Sequence, residues 1–255
     1  MATSFNALCS DFYINQKLAL KMDLPTGRET VLDLFDRVRK FRPGMNRFRR
    51  FEGELALESA PRDGQYDWVA LRQTAARCGT VNPDGLAEAY QLHRLLLEIA
   101  PSYLSISPLD VDYLELMFGF DLEASGNHDD IVFDALFAET PLGRVIDSDR
   151  LIALDVQPFF TFALDPERKV QVNFEVKTRA TETEGGEEIP PSSEGAPDEP
   201  ISVFLSLRRL GPIESVEELP RILEALASAA EEIANERVIP HLIMPINKAI
   251  SSRSR

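Results

Sequence analysis

Glu54 to Thr80 reads ELALESAPRDGQYDWVALRQTAARCGT: two runs of alternating apolar and polar residues about a polar turn at Pro61–Gln65, then a third short run. Alternation with a period of two marks strands that show one face to a core and the other to water. Further along, TFALDPERKVQVNFEVKTRA (Thr161 to Ala180) follows the same order of strand, charged proline-containing turn, strand and basic ending. Two hairpins of one design predict a sheet made mainly of antiparallel neighbours.

Working outward from the first hairpin, Asp11 to Asp23 sets Leu18, Leu20 and Met22 against Lys17, Ala19 and Lys21 and reads as a strand. Thr26 and Glu29 have capping-box spacing ahead of an apolar stripe at Val31, Leu34, Phe35, Val38 and Phe41, a helix that Pro43-Gly44 stops. Arg47 to Glu58 reads as one long strand, Tyr66 to Gln73 as its partner and Cys78 to Val81 as a further edge. Asn82-Pro83-Asp84 supplies an N-cap, a proline at N1 and an acid near the positive end of the dipole. The helix it predicts runs to about Ile99, ends before Pro101 and turns Leu86, Tyr90, His93 and Leu97 inward.

The plan then restarts. Asp112 to Glu123 reads as a strand, Asn127 as the cap of a helix over Asp129 to Thr140, and Pro141-Leu142-Gly143 as its stop. Leu151 to Leu164 and Val170 to Thr178 flank the Asp165–Arg168 turn, and Ile201 to Leu210 is a further strand. The last helix begins near Ser215–Pro220 and reaches at least Glu236, after which Pro240 and Pro245 are expected to break the tail, residues 240–255.

Each half therefore reads strand–helix–strand–strand–strand–helix, with pseudo-repeats at about 8–101 and 102–240. The expected fold is one α+β domain over 1–255, a mainly antiparallel sheet with helices on one face and an internal duplication. The plan is similar to the saddle of the TATA-box-binding protein. That likeness is one of topology, no motif supports kinship, and no residues carry over.

A chain of 255 residues is long enough to bury a substantial core. No apolar run approaches the ~20 residues of a membrane span, and the start has no basic region ahead of an apolar one, so a cytoplasmic protein is expected. Cys9 and Cys78 are too few for a disulfide framework and have no metal-ligand spacing. The net charge of -15 discourages non-specific contact with nucleic acid or anionic lipid. Thr181 to Pro200 holds seven acidic and no basic residues, leaving the remainder near -8, and its Glu, Pro, Ser and Gly content predicts a disordered acidic loop.

No Walker loop, G-x-G-x-x-G, G-x-S-x-G or H-E-x-x-H motif occurs, and no catalytic, cofactor or metal residues are assigned. His93 falls on an apolar helix stripe, as a core histidine does. His128 beside Asp129 and Asp130 has the chemistry of a metal or base site, but first-turn acids also complement a helix dipole. His241 stands between two prolines and points to nothing. One charge anomaly remains: Arg37, Arg39, Lys40, Arg42, Arg47, Arg49 and Arg50, interleaved with Phe41, Phe48 and Phe51. Such a patch suits an acidic partner, the chain's own acidic loop or, less well given the net charge, single-stranded nucleic acid.

The function expected from these observations is non-catalytic binding, through self-association or a protein partner. A small-molecule binder or enzyme with a pocket between sheet and helices near Trp68, Arg72 or Arg77 is the alternative. Nucleic-acid binding through Arg37–Arg50 is the second alternative.

Overall fold

The alternating runs come together in one nine-stranded antiparallel sheet. A computed structural model of the chain describes residues 5–25, 27–145, 151–178 and 199–253, together with the backbone of 183–184 and 187–188. In chain order the elements are β1 (Asp11–Leu20), α1 (Arg28–Phe41), β2 (Met45–Phe51), β3 (Glu54–Ser59), β4 (Tyr66–Arg72), β5 (Ala75–Val81) and α2 (Leu86–Leu104). Then follow β6 (Val111–Leu122), α3 (His128–Leu136), β7 (Phe159–Ala163), β8 (Val170–Lys177), the short ribbon β9 (Thr183–Glu184) and β10 (Glu187–Glu188), and β11 (Ile201–Leu210). The chain closes with α4 (Leu219–Ile233), a π-helical stretch over Ala234–Ile243 and α5 (Met244–Arg253).

The sheet order is β2-β3-β4-β5-β1-β6-β11-β8-β7. Counting outward from the central β1–β6 pair, β5 and β11, β4 and β8, and β3 and β7 hold matching places. Beyond β7, where β2 would have its counterpart, the sheet has no further strand among the described residues.

Strand alternation sorts side chains into two layers. Phe12, Ile14 and Leu18 of β1, Leu116, Phe118 and Phe120 of β6, and Val203, Leu205 and Leu207 of β11 are buried against the helices. Opposite them come the inner faces of α1 (Val31, Leu34, Val38), α2 (Leu92, Leu96, Ala100) and α4 (Leu219, Leu223, Ala230). Burying each large apolar side chain contributes about 1.5–3 kcal/mol, and that burial commits the helices to one face. Phe5 adds one ring to an end of this layer, edge-on to Phe12 and Phe120.

Several boundaries differ from the sequence expectation. Arg47–Glu58 is a hairpin, β2 and β3, because Glu52-Gly53 turns the chain with Gly53 at φ 68, a conformation suited to glycine. Cys78–Val81 is part of an interior strand, since β5 pairs with both β4 and β1. Thr26 lies outside the described residues, and Gly27 holds the N-cap position of α1 without a side-chain cap. Asn82 does not cap α2, whose N-cap is Gly85. Its Oδ1 accepts from Phe12 N at 2.9 Å and its Nδ2 donates to Asp11 Oδ1, tying the loop to β1.

The helix α2 passes through Pro101 to Leu104, and the tail is helical through Pro240, Pro245 and on to Arg253. At Pro240 the wider π-helical turn accommodates the residue without an amide hydrogen. Val238, Ile243 and Ile246 are buried, α5 lies against α3, and Asn247 Nδ2 donates to Leu8 O at 2.9 Å, so this tail folds onto its own chain. Most of the acidic Thr181–Pro200 stretch lies outside the described residues. Among the described residues no helix is long and apolar enough to cross a membrane.

Candidate functional site

Every second residue of the central strands points away from the helices, and these positions make the open face of the sheet. On it Trp68 of β4 stands opposite Gly79 of β5, and Tyr13 of β1 opposite Gly119 of β6. A Cβ at Gly79 would stand 2.7 Å from the Trp68 ring, and one at Gly119 would overlap the ring of Tyr13. Each ring thus lies across the neighbouring backbone, in space that a glycine leaves open.

Cations stack beside these and adjoining rings. The Arg77 guanidinium is 5.4 Å from the Trp68 ring centre, Lys17 Nζ is 5.3 Å and the Arg208 guanidinium 4.9 Å from that of Tyr113, and Lys177 Nζ is 5.9 Å from that of Phe204. Phe204 in turn meets Tyr13 edge-on at 6.3 Å. Carboxylates hold the cations in place: Glu54 accepts from Arg72 Nε at 2.6 Å and Arg77 Nη1 at 3.2 Å, Glu115 accepts from Arg208, and Glu175 is 3.4 Å from Lys177.

Burial, opposed by the bonds from Ser202 and Tyr13, leaves the Asp121 carboxyl above its ordinary value. Burial and the Asp121 charge push the Tyr13 phenol well up, so the ring remains a neutral donor to Asp121 Oδ1 at 3.3 Å. The face is therefore an array of half-buried rings and paired charges.

The basic patch read from sequence does not gather in one groove. Arg37, Arg39 and Lys40 are exposed on α1, with Arg39 on Asp36 at 3.0 Å. Arg42 turns in, its Nη1 donating to Glu88 Oε1 at 3.0 Å and its Nη2 to Glu88 O at 2.8 Å. On β2, Arg47 and Arg49 belong to the open face, where Arg49 lies 3.6 Å from Glu58, and Arg50 belongs to the helix side. Arg42 also lines a cleft of about 560 Å³ at the ends of α1 and α2, with Asp67, Asp84 and Glu88 around it.

Trp68, Arg72 and Arg77, around which a pocket between sheet and helices is expected, all point away from the helices and belong to this array. The His128 cluster is a helix cap and a loop anchor: Asn127 Oδ1 accepts from Asp129 N and Asp130 N, and Asp129 Oδ1 accepts from Val156 N at 2.8 Å and Thr178 Oγ1 at 2.7 Å. His128 Nδ1 lies 3.1 Å from Thr178 O. Among the described residues no group of three metal-ligating side chains converges.

His93 is fully buried, and burial pushes its imidazole down to about 3, offset in part by the Ile14 backbone, which forms no well-aligned hydrogen bond with either ring nitrogen. Cys9 and Cys78 are unpaired thiols, pushed up by burial, Cys9 to about 12. Reading by sequence missed Tyr13, Tyr113 and Phe204. Isolated glycines inside strands, Gly79 and Gly119, were the available signal for rings lying across them.

Compared with known proteins, the chain matches no family model and no curated protein sequence.

Proposed function

We propose that this chain is a non-catalytic binding protein that holds a protein partner on the open face of its sheet. The observation that carries the reading is the group of Trp68, Tyr13, Tyr113 and Phe204 on one face, the first two seated over Gly79 and Gly119 and the group flanked by Arg77, Arg208, Lys17 and Lys177. Trp, Tyr and Arg are the residues that dominate the binding energy of protein interfaces, and here they are held in place before any partner arrives. The mirrored strand order supports reading the chain as a duplicated unit, which would make this face a joint product of both halves. Its two unpaired thiols suit a reducing, cytoplasmic setting. The nucleic-acid reading draws less support, since the seven cations of the patch are spread over a helix and both sides of a strand.

The test is photo-crosslinking in the native host, with a benzophenone side chain at Phe204 and, as control, at exposed Arg221 on α4. A discrete adduct with another protein from position 204, weakened by Trp68→Ala with Arg77→Ala, is expected. An adduct that forms equally from position 221, or none from 204, overturns the reading.

A further inference from the structure

The two edges of the sheet are finished differently. β2 carries exposed Arg47, Arg49 and Arg50, the kind of charged edge that discourages strand addition. β7 is FFTFA, uncharged and exposed at every position. Phe159, Phe160 and Phe162 are 57%, 50% and 57% exposed. Exposed Leu151, Ile152, Leu154 and Leu164 continue the apolar stretch to either side.

The ladder fixes which backbone groups face out. Val176 N donates to Pro158 O at 3.0 Å and Leu164 N to Val170 O at 2.8 Å, so residues 158, 160, 162 and 164 turn their backbone groups to β8. The N–H and C=O groups of Phe159, Thr161 and Ala163 consequently point away from the sheet.

We propose that β7 pairs antiparallel with β7 of a second copy of this chain, about a twofold axis at Thr161, joining two sheets into one. In that register each outward N–H meets an outward carbonyl. Thr161 meets its own copy and Phe159 meets Ala163, a large side chain against a small one. On the helix side Phe160 meets Phe162 of the second copy, beside Phe174, which already contacts Phe162 at 6.3 Å.

No charge is buried by this pairing. Pairing of β7 with β2 would instead press three guanidinium groups against an uncharged strand and build an open filament in place of a closed pair. The three rings offer roughly 300 Å² per copy. Leu164, the next residue along the strand, adds to this area, against the ~800 Å² per partner of a standard interface. Phe159, Thr161 and Ala163 lie at the margin of the open face, but the pairing uses none of Trp68, Tyr13, Tyr113 or Phe204, so this inference and the partner-binding reading can fail separately.

Light scattering on the full chain in solution is expected to give twice the 28.6 kDa chain mass. Thr161→Lys, which sets two ammonium groups against each other across the axis, is expected to return the mass to one chain with an unchanged far-ultraviolet circular dichroism spectrum. Thr161→Cys is expected to form a disulfide-linked dimer on mild oxidation, because paired Cα atoms at that site are about 5.5 Å apart, within disulfide reach. Phe159→Cys, which faces Ala163, is expected to stay uncrosslinked. A monomer at every concentration, a dimer that survives Thr161→Lys, or equal crosslinking at 159 and 161 overturns the proposal.

Discussion

Trp68 and Gly79 face each other across the β4–β5 ladder, and the indole occupies the volume that a side chain at 79 would need. Gly79→Ala must displace both the ring and Asn15, whose Oδ1 shares the space. The expected cost is about 1–3 kcal/mol, as for other overpacked sites. Urea unfolding checks it, with intrinsic tryptophan fluorescence reporting the ring, since Trp68 is the only tryptophan. In a Trp68→Ala background the same substitution should cost distinctly less.

His93 gives the stability a pH dependence with a defined sign. Its folded value is about 3 against an ordinary 6.5, so at pH above 6.5 both folded and unfolded chains carry it neutral. As pH falls through 6.5 the unfolded chain binds a proton that the folded chain refuses until about 3. Stability therefore declines across that window by up to about 1.4 kcal/mol per pH unit. Denaturation of the native chain and of His93→Leu over the same range should show this component lost in the variant. Parallel curves would contradict it.

Asp129 anchors the segment that leads into β7. Asp129→Ala removes the acceptor of Val156 N and Thr178 Oγ1, leaving one half-buried and one buried donor unsatisfied at a cost of about 1–3 kcal/mol. Hydrogen exchange should show the Val156 amide opening faster, while amides in the β1–β6 centre slow or quicken only with global stability.

Arg42 joins the end of α1 to the start of α2 through both the Glu88 side chain and its carbonyl. Arg42→Met is expected to cost about 1–2 kcal/mol, as the loss of charge-assisted bonds does. Glu88→Gln should cost less than about 0.5 kcal/mol, because the carbonyl contact survives and the exposed ion pair contributes little. Equal losses in the two variants would show that the carbonyl contact is unimportant.

The two hairpins that decide the fold were readable because each strand has one buried and one wetted side. β3–β4 and β7–β8 even occupy matching places in the sheet. The hairpin at Gly53 was missed because β2 is an edge strand with Arg47, Arg49 and Arg50 all exposed, so its alternation ran into that of β3 without a break. Pro101 and Pro240 misled for the opposite reason: tertiary packing around α2 and α4 holds helix where local propensity argues for an end. The open face was illegible from local pattern. Trp68 and Gly79 are far enough apart in sequence that only strand pairing brings the ring over the glycine, and the same holds for Tyr13 and Gly119.

One consequence of the strand order concerns synthesis. β1 is made well before β6, yet it sits between β5 and β6. A nascent chain that has reached α2 can assemble β2-β3-β4-β5-β1, with β1 as a bare margin. That margin is the strand of Phe12, Ile14 and Leu18, among the most buried side chains of the finished molecule. Until β6 emerges from the ribosome, the half-made protein offers its future centre as a docking rail for whatever strand is nearest. Translation pausing between α2 and β6 would therefore lengthen the interval of greatest exposure to misassembly.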